Sequence, residues 1–110
     1  MDSTTALDAA IRGLADPIRR ATLLRLAQGP ATAGQLAALF SVSRPAVSRH
    51  LRVLRESELV TATTLGRHVW YEARHAPLVR VELWVGRLAE QVHGAPALTR
   101  LYRSPRSRSL

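Results

Sequence analysis

Cysteine is absent from the 110 residues. Disulfides, iron–sulfur clusters and thiolate metal sites are therefore excluded. Lysine is absent too, so all 16 basic residues are arginine. GC-rich coding accounts for much of that bias. Its chemical consequence stands regardless, because guanidinium forks grip phosphate oxygens and guanine edges in pairs. Acidic residues are scarce: 8 oppose those 16, and the formal net charge is +8. Such an excess favours a polyanionic partner, nucleic acid or an anionic membrane. No apolar stretch is long enough to span a bilayer. Met1-Asp2-Ser3 lacks the positive segment and apolar run of a secretory signal. A cytoplasmic protein with no membrane partner is the expectation. There is also no Gly-rich phosphate loop, no acid/base pair at a plausible site and no cysteine nucleophile, so an enzyme is not expected. What is present is enough for one domain: 46% of residues are apolar. A chain this short gains further burial by self-association.

The apolar period is helical over most of the length. Residues 4–14 carry Leu7, Ile11 and Leu14 at i, i+4 and i+7. Asp16-Pro17 is an N-cap followed by proline at the first helical position. The helix it opens carries Ile18, Leu23, Leu24 and Leu26 and stops at Gly29-Pro30. Thr32 and Gln35 have capping-box spacing, and a short helix with Leu36, Leu39 and Phe40 follows. Ser41-Val42-Ser43 is a tight break, and Ser43 caps a helix from Arg44 to about Glu56. After Leu59 the period becomes two. Leu59–Thr64 is β-branched, Leu65-Gly66-Arg67 makes a turn, and residues 69–73 alternate, which predicts a hairpin. Pro77 is expected to open a last long helix ending near His93-Gly94, with one more helical turn around Leu98–Tyr102. The chain divides into a domain over 1–94 and an Arg/Ser/Pro-rich basic tail over 95–110, expected to be partly disordered.

The helix after Ser43 has two unlike faces. With Val47 as origin and about 100° per residue, Leu51 and Leu54 fall beside it as a buried stripe. Pro45, Arg49 and Arg52 fall opposite, with Ser48 at the edge. Arg44 sits in the first turn, where a helix in the major groove meets base edges. A solvated basic face would explain such a pattern less well, because Arg44, Arg49, Arg52 and Arg55 face a single nearby acid. Arg67, at the hairpin tip, is placed for the DNA backbone or the adjacent minor groove.

The run from Ser41 to Val60, SVSRPAVSRHLRVLRESELV, resembles the ArsR/SmtB family of bacterial winged-helix regulators. Ala15-Asp-Pro-Ile-Arg-Arg20, Gly66-Arg67 and Tyr71 fit the same pattern, and the resemblance covers residues 8–93. It implies a mainly α (α+β) winged helix-turn-helix: four helices, a β-hairpin and a fifth helix. It further implies a homodimer through the first and last helices on a pseudo-palindromic operator in double-stranded DNA. Most members are repressors that release DNA when an effector binds. The family's groove-contacting positions fall on Arg44, Pro45, Ser48 and Arg49, with Arg67 in the wing. The full candidate DNA-contacting set is Ser43, Arg44, Pro45, Ser48, Arg49, Arg52, Arg67 and His68. Ser57 departs from the pattern, standing where glycine usually follows the recognition helix.

The last helix carries Leu78, Val81, Val85, Leu88 and Val92 as a stripe flanked by Trp84. That is wider than so small a domain needs. The candidate dimer face is therefore Leu7, Ile11, Leu14, Val81, Trp84, Val85, Leu88 and Val92. Some relatives of the resembled family sense metals through His and carboxylates on this helix. Glu82 and His93 lie about 16 Å apart along one helix, too far to share an ion within one chain but able to do so across a dimer. With His75 they are the candidate ligands for a divalent metal (nickel, zinc or cobalt). Arg80 and Pro96 occupy the positions of the family's two remaining ligands and cannot ligate. His50 beside the buried stripe packs or contacts phosphate rather than binding metal. A DNA-organising protein without sequence preference is the competing reading, and a dimer with a different partner subunit is also open.

Overall fold

A computed structural model describes residues 3–93 and Leu98. The order is α1 (Ser3–Leu14), α2 (Pro17–Leu26), β1 (Ala31–Thr32), α3 (Ala33–Ala37), α4 (Arg44–Glu56), β2 (Val60–Leu65), β3 (His68–Ala73) and α5 (His75–Val92). Apart from Leu98, the helical turn expected at Leu98–Tyr102 and the basic tail lie outside the described residues. The three strands form one antiparallel sheet in the order β1-β3-β2. No helix among the described residues is long and apolar enough to cross a membrane.

Local chemistry explains the boundaries. The Asp16 carboxylate accepts from the backbone N–H of Ile18 (2.8 Å) and Arg19 (3.0 Å), and Pro17 needs no partner at the first helical position. Thr32 and Gln35 exchange the two bonds of a capping box. Ser43 accepts from Ala46 N–H at 3.3 Å and starts α4. Helix α4 ends in a Schellman motif: Leu59 N–H reaches Leu54 O at 2.9 Å and Glu58 N–H reaches Arg55 O at 3.0 Å. The residue that turns left-handed there is Glu58, with φ of 61°. Ser57, expected at the glycine-favouring position, has an ordinary φ of −87°. Its hydroxyl instead donates to Val53 O at 2.6 Å.

The core is continuous from Ala10 of α1 through Leu23, Leu26, Ala31 and Leu36 to Val47, Leu51 and Leu54 of α4, closing on Leu59 and Val60. It fills the space between the helical pairs and the base of the sheet. Beyond Ala62 the hairpin stands clear of it, and Leu65 is exposed. Its connection is the two-residue turn Gly66-Arg67, with Gly66 supplying a positive φ of 62°.

Four expectations shift in detail. Helix α3 stops at Ala37, so Leu39 and Phe40 lie beyond it and Leu39 is largely exposed. The break before α4 thus spans residues 38–43 rather than Ser41–Ser43. Leu65 belongs to β2 rather than to the turn. Helix α5 starts at His75, two residues before Pro77. Proline is tolerated throughout a first turn, whose N–H groups have no intrahelical partner, so Pro77 marks a start without fixing it.

Candidate nucleic-acid interface

Helices α3 and α4 form the helix-turn-helix, and the core holds α4 by one face. Val47, Leu51 and Leu54 are buried, as the helical period requires. Arg44, Pro45, Ser48, Arg49 and Arg52 are all exposed. Pro45, Arg49 and Arg52 lie opposite the buried stripe, Ser48 at its edge and Arg44 in the first turn. Arg67 and His68 are exposed at the hairpin tip. The expected set is therefore brought to two places, the outer face of α4 and the wing. Ser43 is exposed, and its oxygen is engaged as the N-cap. Arg44 differs from the other arginines: its guanidinium lies over the first turn of α3, so that a Cβ on Gly34 would stand 3.9 Å from Cζ.

The arginines sort by what they touch. Arg19 donates from Nε to Gly13 O at 2.8 Å and from Nη2 to Arg12 O at 2.9 Å. Arg20 donates to Leu14 O at 2.9 Å. Two cations in the first turn of α2 oppose its own dipole, but they bond the carbonyls that end α1, of which that of Arg12 also accepts the backbone N–H of Ala15. Arg25 bonds Gly29 O and Arg74 bonds Glu58 O. By contrast Arg44, Arg49, Arg52, Arg55 and Arg67 make no hydrogen bond or ion pair to any described residue. Arg12 of α1 and Arg80 and Arg87 of α5 are likewise without a hydrogen bond or ion pair to a described residue, so five of the eight unengaged guanidinium groups among the described residues lie on α4 and the wing.

A second cluster was not foreseen. His50 Nδ1 of α4 stands 3.5 Å from Arg19 Nη1 and 3.8 Å from Asp16 Oδ2. The imidazole so joins α4 to the corner between α1 and α2. The Arg19 backbone N–H, together with the charges of His50 and Arg19, holds the Asp16 carboxyl below its ordinary value of 3.8 against the opposing effect of partial burial. The sequence signal for this cluster was the Arg19-Arg20 pair itself, out of place at a helix N-terminus.

The candidate metal ligands are spread along α5. His75 begins it, Glu82 lies mid-helix and His93 caps it, all exposed. Among the described residues no three His, Cys, Asp or Glu side chains come together to hold an ion. The candidate dimer face is mostly open. Ile11, Trp84, Val85, Leu88 and Val92 are exposed, while Leu14 and Val81 pack partly against the core.

A three-stranded wing beside a core-anchored, arginine-faced helix defines a winged helix-turn-helix. The model for bacterial regulatory proteins of the arsR family matches residues 16–62, from the cap of α2 into β2. The HTH-type transcriptional regulator Rv2034 of Mycobacterium tuberculosis is 44% identical over 72 residues, covering 66% of this chain and 67% of that protein. The transcriptional repressor SdpR of Bacillus subtilis is 35% identical over 60 residues, covering 54% of this chain and 67% of that protein. The crystal structure of the ArsR family transcriptional regulator RHA00566 is similar with a TM-score of 0.73 at 32% identity, covering 82% of this chain and 99% of that one. The chain belongs to the ArsR family of bacterial transcriptional regulators.

Proposed function

We propose that the chain is a cytoplasmic homodimeric repressor that reads a pseudo-palindromic operator with two copies of α4 and performs no chemistry of its own. The sorting of arginines carries this reading. Those within the fold's corners bond carbonyls, whereas the four on α4 and Arg67 have no partner among the described residues and lie together on the reading helix and wing, apart from the three unengaged arginines of α1 and α5. Arg49, Arg52 and Ser48 enter the major groove and meet base edges. Pro45 packs against the groove wall beside them. Arg44, whose first-turn position alone would aim it at base edges, lies over the start of α3 and, with Ser43 at the start of α4, meets phosphates there instead. Arg67 and His68 contact the backbone or minor groove beyond the helix. The two-fold axis runs through the α1/α5 faces.

The test is binding to duplexes from the gene's own upstream region and to scrambled duplexes at matched salt. A specific site bound about a thousandfold more tightly supports the reading. A ratio near one replaces it with a DNA-organising protein. The same assay run with nickel, zinc and cobalt tests effector binding. Glu82 and His93 lie within about 20° of each other around α5 and could meet across the two-fold axis, joined by His75.

A further inference from the structure

We infer that His50 is a further DNA contact of this interface: Arg19 holds the inner ring nitrogen, and the outer Nε2–H is offered to a phosphate oxygen. The inference rests on α4 being the reading helix. A guanidinium can only donate. With Arg19 Nη1 at 3.5 Å, Nδ1 of the neutral ring is therefore the acceptor, and the proton sits on Nε2. In the imidazolium, Nδ1–H faces Asp16 Oδ2 at 3.8 Å, and Nε2 again carries a hydrogen. The outer nitrogen is a donor in either charge state.

That donor has no partner among the described residues. Among the described residues the polar contacts of His50 both run through Nδ1. No buried side-chain nitrogen or oxygen among the described residues lacks a hydrogen-bond partner, so Nε2 is open to solvent. On the helical wheel His50 lies about 60° from Val47, toward Arg49. A side chain on that flank faces the sugar–phosphate wall of a groove rather than the base edges at its floor.

The surroundings leave this nitrogen as the available group. Arg19 is occupied by Gly13 O and Arg12 O, so it acts as a positioning residue rather than a contact. The Asp16 carboxylate, which would repel a phosphate, is engaged by the N–H groups of Ile18 and Arg19. The ring is thus fixed on one side by the corner that joins α1 to α2.

Two variants of the full chain separate contact from packing. His50→Asn keeps an acceptor near the place of Nδ1 and loses the outer donor. His50→Gln carries an amide N–H near the place of Nε2. His50→Asn is expected to bind operator and scrambled duplex about tenfold more weakly, as loss of a hydrogen bond to a charged group requires. The ratio between the duplexes and the Tm stay at the wild-type values, and His50→Gln recovers most of the loss. Nitrogen NMR of the free protein is expected to show hydrogen on Nε2 in the neutral ring. A proton on Nδ1, wild-type affinity in His50→Asn, or equal losses in both variants overturns the inference. If wild type itself fails to prefer operator, the operator reading falls, and the NMR result still judges the ring's orientation.

Discussion

At the scale of single residues, Asp16 and Gly13 bear the tightest local constraints. Asp16 caps α2 through two backbone bonds, so Asp16→Ala is expected to cost about 1 kcal/mol. On a domain of this size that lowers Tm by about 4–8 °C. The folded carboxyl titrates below its ordinary value of 3.8. Its contribution is therefore complete above that value and is lost as pH falls through the lower folded one. Thermal melts should show a constant gap between wild type and variant at neutral pH that narrows below pH 3.8. Gly13 constrains packing instead. A Cβ there would stand 2.5 Å from Leu59 Cδ1 and 2.6 Å from Ser57 Oγ. Leu59 is fully buried, so moving its side chain aside disturbs the core packing around it. Ala is the better helix former by about 1 kcal/mol. Gly13→Ala is nonetheless expected to destabilise by about 1–3 kcal/mol in denaturant titration, because overpacking outweighs propensity. A stabilised variant would show that α1 does not approach the end of α4 this closely. The two residues also mark what a sequence can show. The cap is a local signature, Asp-Pro before an apolar run. The tight spot at Gly13 depends on side chains distant in the chain, and no local pattern announces it.

At the scale of elements, α4 was legible because its two faces differ so sharply: three buried apolar residues against a run of arginines. Strand β1 was not legible, since Ala31-Thr32 has no period to detect and exists through its pairing with Tyr71 and Trp70. The end of α3 was missed because Leu39 and Phe40 continue an apolar pattern after the hydrogen bonding has stopped. The His50 cluster was missed because His50 and Asp16 come together only when α4 packs on α2. The division between helix and wing leads to a comparison of two substitutions. Arg49 projects from the middle of the outer face, and Arg67 sits at the hairpin tip. Arg49→Ala is expected to lose about 1–3 kcal/mol on the operator and relax preference at one base pair. Arg67→Ala should weaken operator and scrambled DNA alike and reduce the salt slope by about one unit. Affinities at several salt concentrations check both. Full discrimination retained in Arg49→Ala would put a different face in the groove.

At the scale of the whole molecule, α5 is the element least accounted for by one chain. Pro77 is its single buried residue among the described ones. Trp84 is 41% exposed, Leu88 45% and Val92 71%. An 18-residue helix with so little burial is held to the domain mainly by α1 and lies open beyond it. A row of apolar side chains on a rigid helix is the kind of surface that a second copy covers, and an isologous contact needs only one such face per chain. The period of α5 was visible in the sequence. The share of it taken by the core was not, because Leu78 and Val81 pack inward while the later members of the same stripe do not. A guanidinium placed at Trp84 would have to be desolvated in the paired state without a partner, whereas in a monomer it would remain in water. Trp84→Arg is therefore expected to leave the fold and Tm of the single domain little changed while producing monomers in sedimentation at micromolar concentration. A monomer spans one half-site, so operator affinity should fall by orders of magnitude. A wild-type chain that sediments as a monomer at that concentration, or a Trp84→Arg variant that remains dimeric, would move the two-fold axis away from α5.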